Sequence, residues 1–262
     1  DTLILACGSP AGVPARERLG GYGIAEKLGL SVEKPLPALT ALRCQEKWYK
    51  ALAGVRCQAK VTLFVGGRER CREAGELQLT DYGISGIPVF QLSRYASEAL
   101  ASGKEVTASI DFFPQFSQKQ WERFCGRQYE ACQGMSAAFL AEGMLHKKLA
   151  AHFLGMAGLK PSDPVSPRTK QKLFEMFSRM RELKTRIEAA NPMENAQVCM
   201  GGVSLLEVDE RLEAVRVPGL FLCGEMLDVD GRCGGYNLQW AWTSGYIAGK
   251  EAAGKRRKGG RR

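Results

Sequence analysis

Gly219-Leu-Phe-Leu-Cys-Gly-Glu225 is followed by Met226-Leu-Asp-Val-Asp-Gly-Arg-Cys-Gly-Gly-Tyr-Asn-Leu-Gln-Trp-Ala-Trp-Thr-Ser-Gly245. The stretch reads as an apolar strand stopping at Gly224-Glu225, a loop with Gly231, Gly234 and Gly235, and an apolar helix reaching Ala248. Such a strand end delivers a carboxylate, the glycines admit a ligand without Cβ interference, and the helix start offers unpaired N–H groups. These are the means of holding a large, flat cofactor with polar edges.

The chain opens on a second strand closed by glycine, Thr2-Leu-Ile-Leu-Ala-Cys-Gly8. Two such strands are what a parallel sheet shows where its carboxyl edge meets a ligand. Taken singly, each is equally a buried strand with a tight turn. Between them the pattern changes twice. Short alternating runs at Val55–Val65, Glu76–Thr80, Pro88–Leu92 and Glu105–Phe112, separated by Gly66-Gly67, Gly83, Gly86 and Gly103, predict a small antiparallel sheet or barrel. Arg94–Ala101 reads as a short helix within it. From 117 to about 181 the period is helical, with Ser117, Ser136 and Ser166-Pro167 as starts for Gln118–Tyr129, Ser136–Leu154 and Thr169–Leu183. Lys184–Ala190 returns to a strand, and Ala196–Met200, Val203–Val208 and Leu220–Cys223 follow.

The expected fold is mixed α/β and α+β. Residues 1–40 and 192–262 form halves of one domain; 41–116 and 183–191 form an inserted, barrel-like β domain; 117–182 form a helical subdomain on it. The chain begins with Asp1 and enters at once as a strand, so sequence is expected upstream.

Composition excludes several classes. At 262 residues and 45% apolar content the chain is globular. No apolar run reaches the roughly 18 residues of a membrane span. Nine cysteines, an odd number without a C-x-x-C pair, fit a reducing cytoplasm better than a disulfide framework or a zinc site. His146 and His152 lack neighbours at ligand spacing, so no metal centre is expected. The net charge is +9, but six charges lie in the tail Lys255-Arg-Arg-Lys-Gly-Gly-Arg-Arg262, and the remainder is only +3. A glycine-containing basic tail is read as a solvated end, so nucleic acid is not expected as a partner.

The two glycine-closed strands resemble the motifs of two-dinucleotide-domain flavoproteins: the second like their C-terminal acidic motif, the first like their Ala-Thr-Gly motif with Cys7 in place of Thr. More closely, the chain resembles the flavoprotein family of bile-acid-inducible reductases and aminoacetone oxidase. The matching segments are Gly20-Gly-Tyr-Gly-Ile-Ala-Glu-Lys-Leu-Gly29, Pro37-Ala-Leu39, Leu79-Thr-Asp-Tyr-Gly-Ile-Ser-Gly86, Gln91-Leu-Ser-Arg94, Ala196-Gln-Val-Cys-Met-Gly-Gly-Val-Ser204, Gly224-Glu-Met-Leu-Asp-Val-Asp-Gly231 and Gly234-Gly-Tyr-Asn-Leu-Gln-Trp-Ala241. They follow the family's order along nearly the whole chain.

The resemblance implies an FAD-dependent oxidoreductase that passes hydride from NAD(P)H through flavin to a small organic substrate, such as a conjugated ketone. It implies a cofactor site at Ala6, Cys7, Gly8, Gly201, Gly202, Gly224, Glu225, Asp228, Asp230, Gly234, Gly235, Tyr236 and Asn237, with Glu225 on the ribityl side and the Gly234–Asn237 loop beside the isoalloxazine. Asp228 and Asp230 read equally as cofactor contacts or as an Asx turn, and Gly201 and Gly202 as a close approach or a tight strand link. Tyr82 and Ser85 are candidate proton donors, or parts of a turn. Trp240 and Trp242 read as helix packing. The family's opening G-x-G-x-x-G, which binds the flavin pyrophosphate, is absent from this chain, and the N-terminal Rossmann segment is expected as a missing partner. Asp81, Ile87 and Cys199 stand where relatives commonly have His, Pro and Thr. The rival readings are a fragment that binds no flavin alone, and a nucleic-acid-associated protein acting through its basic tail.

Overall fold

A computed structural model of the chain describes residues 2–14 and 20–259, with side chains up to residue 254. The expectations placed on Asp1 and on the basic side chains of 255–262 lie outside the described residues. The chain divides into two compact units, Asp1–Ala41, Ser93–Ala101 and Ala190–Arg262 in one, Leu42–Leu92 and Ser102–Ala189 in the other.

The first unit opens with β1 (Leu3–Leu5), α1 (Gly21–Lys27) and β2 (Val32–Ala38). The second then runs through β3 (Leu42–Cys44), α2 (Tyr49–Leu52), β4 (Arg56–Val65), β5 (Arg68–Leu79) and β6 (Gly83–Gly86) into α3 (Ile87–Ala101), whose last nine residues belong to the first unit. After β7 (Val106–Asp111) come α4 (Gln118–Ala131), α5 (Ala137–Glu142), α6 (Lys147–Met156), α7 (Lys170–Arg181) and β8 (Leu183–Ala190). The first unit resumes with β9 (Val198–Val203), β10 (Leu220–Leu222) and α8 (Tyr236–Gly259).

The second unit is a closed six-stranded barrel in the order β3-β6-β5-β4-β7-β8. The alternation in β4 explains it: Ala59, Val61 and Leu63 point inward and are buried, whereas Lys60, Thr62 and Phe64 between them line the outer surface. Helices α2 and α4–α7 group with this barrel in one unit. A full capping box starts α4, in which Gln120 N donates to Ser117 Oγ and Ser117 N donates to Gln120 Oε1 at 2.9 Å.

Three local expectations are corrected. Pro88–Leu92 is the start of α3 rather than a strand: Val89, Leu92, Ala96 and Ala99 are all buried, a helical spacing that a five-residue window cannot reveal, and Pro88 sits in a first turn that needs no N–H from it. Ser136–Leu154 breaks into α5 and α6 around Gly143–His146, where His146 Nδ1 accepts from Lys148 N at 3.2 Å and caps the second helix. Val203–Val208 is not a strand beyond Val203; Ser204 Oγ accepts from Leu206 N at 3.4 Å and starts a 3-10 turn over Leu205–Glu207.

In the first unit β1 and β10 pair in parallel, Leu3 with Leu220, Ile4 with Phe221 and Leu5 with Leu222, while β2 pairs antiparallel with β9. The core gathers Leu5, Ala25, Leu30, Val203, Phe221, Leu222, Met226, Leu227 and Ala248. Not everything apolar is covered. Leu3 and Ile4 are 53% and 39% exposed, and on α8 Leu238, Trp242 and Tyr246, spaced four apart on one helix face, are 60%, 68% and 71% exposed. Trp242 therefore does not pack in the core as expected. Among the described residues no helix is long and apolar enough to cross a membrane.

Candidate functional site

The parallel pairing of β1 with β10 carries both strands to the same edge, so Ala6-Cys7-Gly8-Ser9 and Cys223-Gly224-Glu225 leave the sheet side by side. Cys223 N still donates to Leu5 O at 3.2 Å, and the chain turns at Gly224 into a short 3-10 segment, Gly224–Met226. Ser9 Oγ donates to Glu225 Oε2, tying the two strand ends together through side chains. Tyr22, on the first turn of α1, donates its hydroxyl to the Glu225 main-chain oxygen at 2.8 Å. Gly21 beside it has no room for a side chain: a Cβ there would lie 2.8 Å from Met226 Sδ and 3.0 Å from Cys7 Cβ.

The Gly224 turn is held from the other side by α8. Ser244 Oγ accepts from Gly224 N at 2.8 Å, and Trp240 Nε1 donates to Gly224 O at 3.1 Å. Trp240 is thus a clamp on the strand end as well as a half-buried packing residue.

Downstream, each acidic residue of the loop has a different situation. Asp228 Oδ1 accepts from Gly201 N at 2.8 Å, and Asp228 N donates to Val203 O at 2.9 Å, so the loop is pinned to the end of β9. Gly201 needs its positive φ of 88° there, because a Cβ would come within 2.5 Å of Lys34 O. A Cβ on Gly202 would lie 3.1 Å from the backbone of Leu227. Asp230 takes Arg94 of α3: Nη2 donates to Oδ1 at 2.9 Å and Nε lies 2.8 Å from Oδ2. Asn237, on the first turn of α8, accepts from Gly231 N at 2.7 Å and donates to Gly231 O at 3.0 Å, closing the glycine loop on itself. Gly231–Asn237 therefore forms a ring through a side-chain amide. Asp228 thus bonds Gly201 and Asp230 bonds Arg94.

Electrostatically the site is crowded with half-buried acids. Burial pushes the Glu225 carboxyl above the ordinary range, the Ser9 hydroxyl pulls it down, and the charge on Asp230 adds to the rise. Asp230 is raised in the same way by burial, with Arg94 opposing and Asp228 adding. Burial, and then the Glu225 charge, hold the Cys199 thiol at about 12. The Tyr22 phenol is pushed far up by burial and by the charges of Cys199 and Glu225, so it stays a donor.

The arrangement suits a polyhydroxylated, polar-edged ligand. Among the described residues Ser9 occupies only Oε2 of Glu225, leaving Oε1 as an acceptor for a ligand hydroxyl. A Cβ added to Gly8 or Gly235 would meet nothing within 4 Å, so the backbone at those points borders open space. The first N–H groups of α8 follow Gly235 directly and add donors. Among the described residues no group of three or more His, Cys, Asp or Glu could hold a metal ion.

Ala6, Cys7, Gly8, Gly201, Gly202, Gly224, Glu225, Asp228, Asp230, Gly234, Gly235, Tyr236 and Asn237 all belong to the first unit. Tyr82 and Ser85 belong to the barrel: Tyr82 O accepts from Cys44 N at 2.8 Å, the Arg43 guanidinium lies 4.9 Å over the Tyr82 ring, and Ser85 opposes Gln78 in the β5–β6 pair. Reading the sequence alone misses Ser9, Tyr22, Arg94 and Ser244 as site residues. Tyr22 and Arg94 lie inside the segments quoted above, Gly20–Gly29 and Gln91–Arg94, but side chains at such positions acquire a role only once distant strands meet.

A family model described as the HI0933-like protein Rossmann domain matches residues 1–251. The chain is 37% identical over 254 residues to the 3-dehydro-bile acid delta(4,6)-reductase of Clostridium scindens, covering 97% of this chain and 62% of that protein. It is 28% identical over 229 residues to the ribosomal RNA dihydrouridine synthase of Haemophilus influenzae, covering 86% and 54%. Against the ribosomal RNA dihydrouridine synthase of Escherichia coli it is 29% identical over 235 residues, covering 88% and 55%. The chain spans between about half and three-fifths of the length of these curated relatives.

Proposed function

The chain belongs to the HI0933-like Rossmann family, and from that premise we propose that it is the greater part of an FAD-dependent oxidoreductase reducing a carbon–carbon double bond conjugated to a carbonyl. The observation that carries this reading is the meeting of Glu225, Ser9 and the open backbone at Gly8 at the carboxyl edge of two parallel strands. Bound FAD would supply two-electron chemistry, with NAD(P)H as the proposed electron donor. Glu225 would accept from ribityl hydroxyls while Ser9 and Tyr22 fix its orientation. The Gly234–Asn237 segment and the N–H groups of α8 would lie along the ring system and favour negative charge there. Arg94 and Asp228 hold that loop in place from either side. Tyr82 and Ser85 remain candidates for delivering a proton to the substrate.

The names of the relatives support the reaction class. One is a delta(4,6)-reductase and two form a dihydro base, and both descriptions add hydrogen across a double bond. They leave the substrate of this chain open between a small ketone and an RNA-borne base.

A further segment is part of this proposal. A two-stranded parallel sheet is ordinarily flanked by more strands and covered on both faces. Here Leu3, Ile4, Leu238, Trp242 and Tyr246 are exposed instead. We infer that polypeptide bearing the pyrophosphate-binding glycines covers this surface in the whole protein, and that this chain alone retains FAD weakly. The test is an FAD titration of the full gene product and of residues 1–262 side by side, followed by absorbance near 450 nm. A full gene product that is colourless and gains no flavin on reconstitution would overturn the reading, as would Glu225→Ala with unchanged retention.

A further inference from the structure

The net charge is not spread over the molecule as its total suggests. The barrel unit, Leu42–Leu92 with Ser102–Ala189, holds 22 Lys and Arg against 14 Asp and Glu, a net of +8. The other unit holds 15 against 14, and nine against 14 once residues 255–262 are set aside. The near balance outside the tail thus conceals a strongly basic unit and an acidic one. Such an asymmetry is the electrostatic footprint of a polyanion partner.

Within the basic unit one face is organised. Lys119, Arg123 and Arg127 are exposed and recur every four residues along α4, which stacks them on one side of the helix, away from buried Trp121, Cys125 and Tyr129. Among the described residues none of the three is in an ion pair. Glu130 is the one carboxylate sharing that side, and Glu122, which flanks it, accepts from Gln118. Beside the cations, half-buried Phe124 stacks on half-buried Phe116 with ring centroids 5.1 Å apart and planes 23° apart. Cations that track a phosphate backbone next to aromatic faces able to take unstacked bases are the recurring elements of single-strand recognition.

We propose that the Lys119–Arg123–Arg127 face of α4, with Phe116 and Phe124, binds single-stranded nucleic acid. The phosphates are neutralised by the three cations, and a base stacks against the phenylalanine pair. This surface belongs to the barrel unit alone and does not rest on the flavin reading.

The test uses the 262-residue chain and a fluorescein-labelled 15-nucleotide single-stranded RNA, with DNA of the same sequence as a second arm, followed by anisotropy from 0.05 to 0.3 M KCl. The triple variant Lys119→Gln/Arg123→Gln/Arg127→Gln should bind about tenfold or more weakly at 0.1 M salt, with the log–log salt slope shallower by about 2, as expected for three lost contacts at about 0.7 each. Phe124→Leu should weaken binding several-fold and leave the salt slope unchanged, since stacking releases no counterions. Far-ultraviolet circular dichroism checks that both variants keep their helices. RNA binding tighter than DNA would assign part of the recognition to the 2′-hydroxyl, and equal binding would assign it to phosphates and bases; both support the proposal. It is overturned if the chain binds neither strand at 0.05 M salt, if the triple variant binds as well as the parent, if deleting 255–262 abolishes binding, or if anionic phosphatidylserine vesicles are bound and nucleic acid is not. Failure of FAD binding in the same preparation would leave these outcomes unchanged.

Discussion

Arg94 and Asp230, 136 residues apart in the chain, meet as an ion pair, with Nη2 donating to Oδ1 at 2.9 Å and Nε 2.8 Å from Oδ2. The carboxylate is only 6% exposed and the arginine 41%. Burial raises the Asp230 pKa and Arg94 opposes the rise, so the pair is what keeps a charged acid tolerable beneath the glycine loop.

Arg94→Gln should therefore leave Asp230 buried without its cation and destabilise the first unit by about 1–2 kcal/mol. That is less than the ~3–5 kcal/mol typical of a fully buried pair, because the arginine is partly solvated. Adding Asp230→Asn should restore most of the loss. Urea denaturation of the two single variants and the double checks this, and strictly additive losses would contradict the pairing.

Glu225 makes a pH prediction of definite sign. Its folded-state pKa lies above the reference of 4.5, chiefly through burial, so the folded state holds the proton more tightly than the unfolded one. The stability this proton gives is present below about 4.5 and is lost as pH rises through the raised folded value. Glu225→Gln keeps an acceptor for Ser9 and removes the titration, so its melting temperature relative to the parent should be higher at pH 7 than at pH 4. A difference that is flat or reversed would show that burial does not govern this carboxyl.

Two glycines in the same unit should respond differently to alanine. At Gly201 the new Cβ would sit 2.5 Å from Lys34 O at a φ of 88°, so β9 must separate from β2; the strain alone costs about 1–3 kcal/mol and the backbone clash adds to it. At Gly235 the φ is 92° but no atom lies within 4 Å, and a cost of about 1–2 kcal/mol is expected. Under the proposed function, Gly235→Ala should nonetheless weaken FAD retention by narrowing the open approach. Denaturation midpoints and flavin absorbance separate the two effects.

What was legible in the sequence follows from which forces act locally. The strand ends at Gly8 and Gly224 were visible because a run of apolar residues closed by glycine is a local pattern, and so were the barrel strands, whose alternation is spelled out in Ala59, Val61 and Leu63. The helix at Pro88 was not, since five apolar-rich residues carry no period and only Ala96 and Ala99 reveal it. Ser9, Tyr22 and Ser244 were illegible for another reason: their partners lie 216, 203 and 20 residues away. The charge asymmetry does not depend on where α3 changes units, since residues 93–101 hold one Arg and one Glu and leave the barrel's net at +8; the total masks it, and it shows only when charges are summed unit by unit.

Thiol chemistry offers a reading of the site that needs no activity. Burial holds Cys44 at about 11 and Cys125 and Cys199 at about 12, so at pH 8 no more than about a thousandth of each is thiolate, and access is poor as well. None of the three should react with iodoacetamide in the native chain, and all three should react in urea. Cys57 and Cys71 are half-buried at about 11 and lie on the barrel strands β4 and β5. Cys7 and Cys233 are half-buried in the first unit, beside Gly8 and Gly234 respectively. If the cofactor lies along those strand and loop ends, FAD should slow labelling of Cys7 and Cys233 and leave Cys57 and Cys71 unchanged, as read by mass spectrometry of tryptic peptides. Protection confined to the barrel cysteines would move the flavin away from Glu225, and the roles given to Ser9 and Tyr22 would go with it.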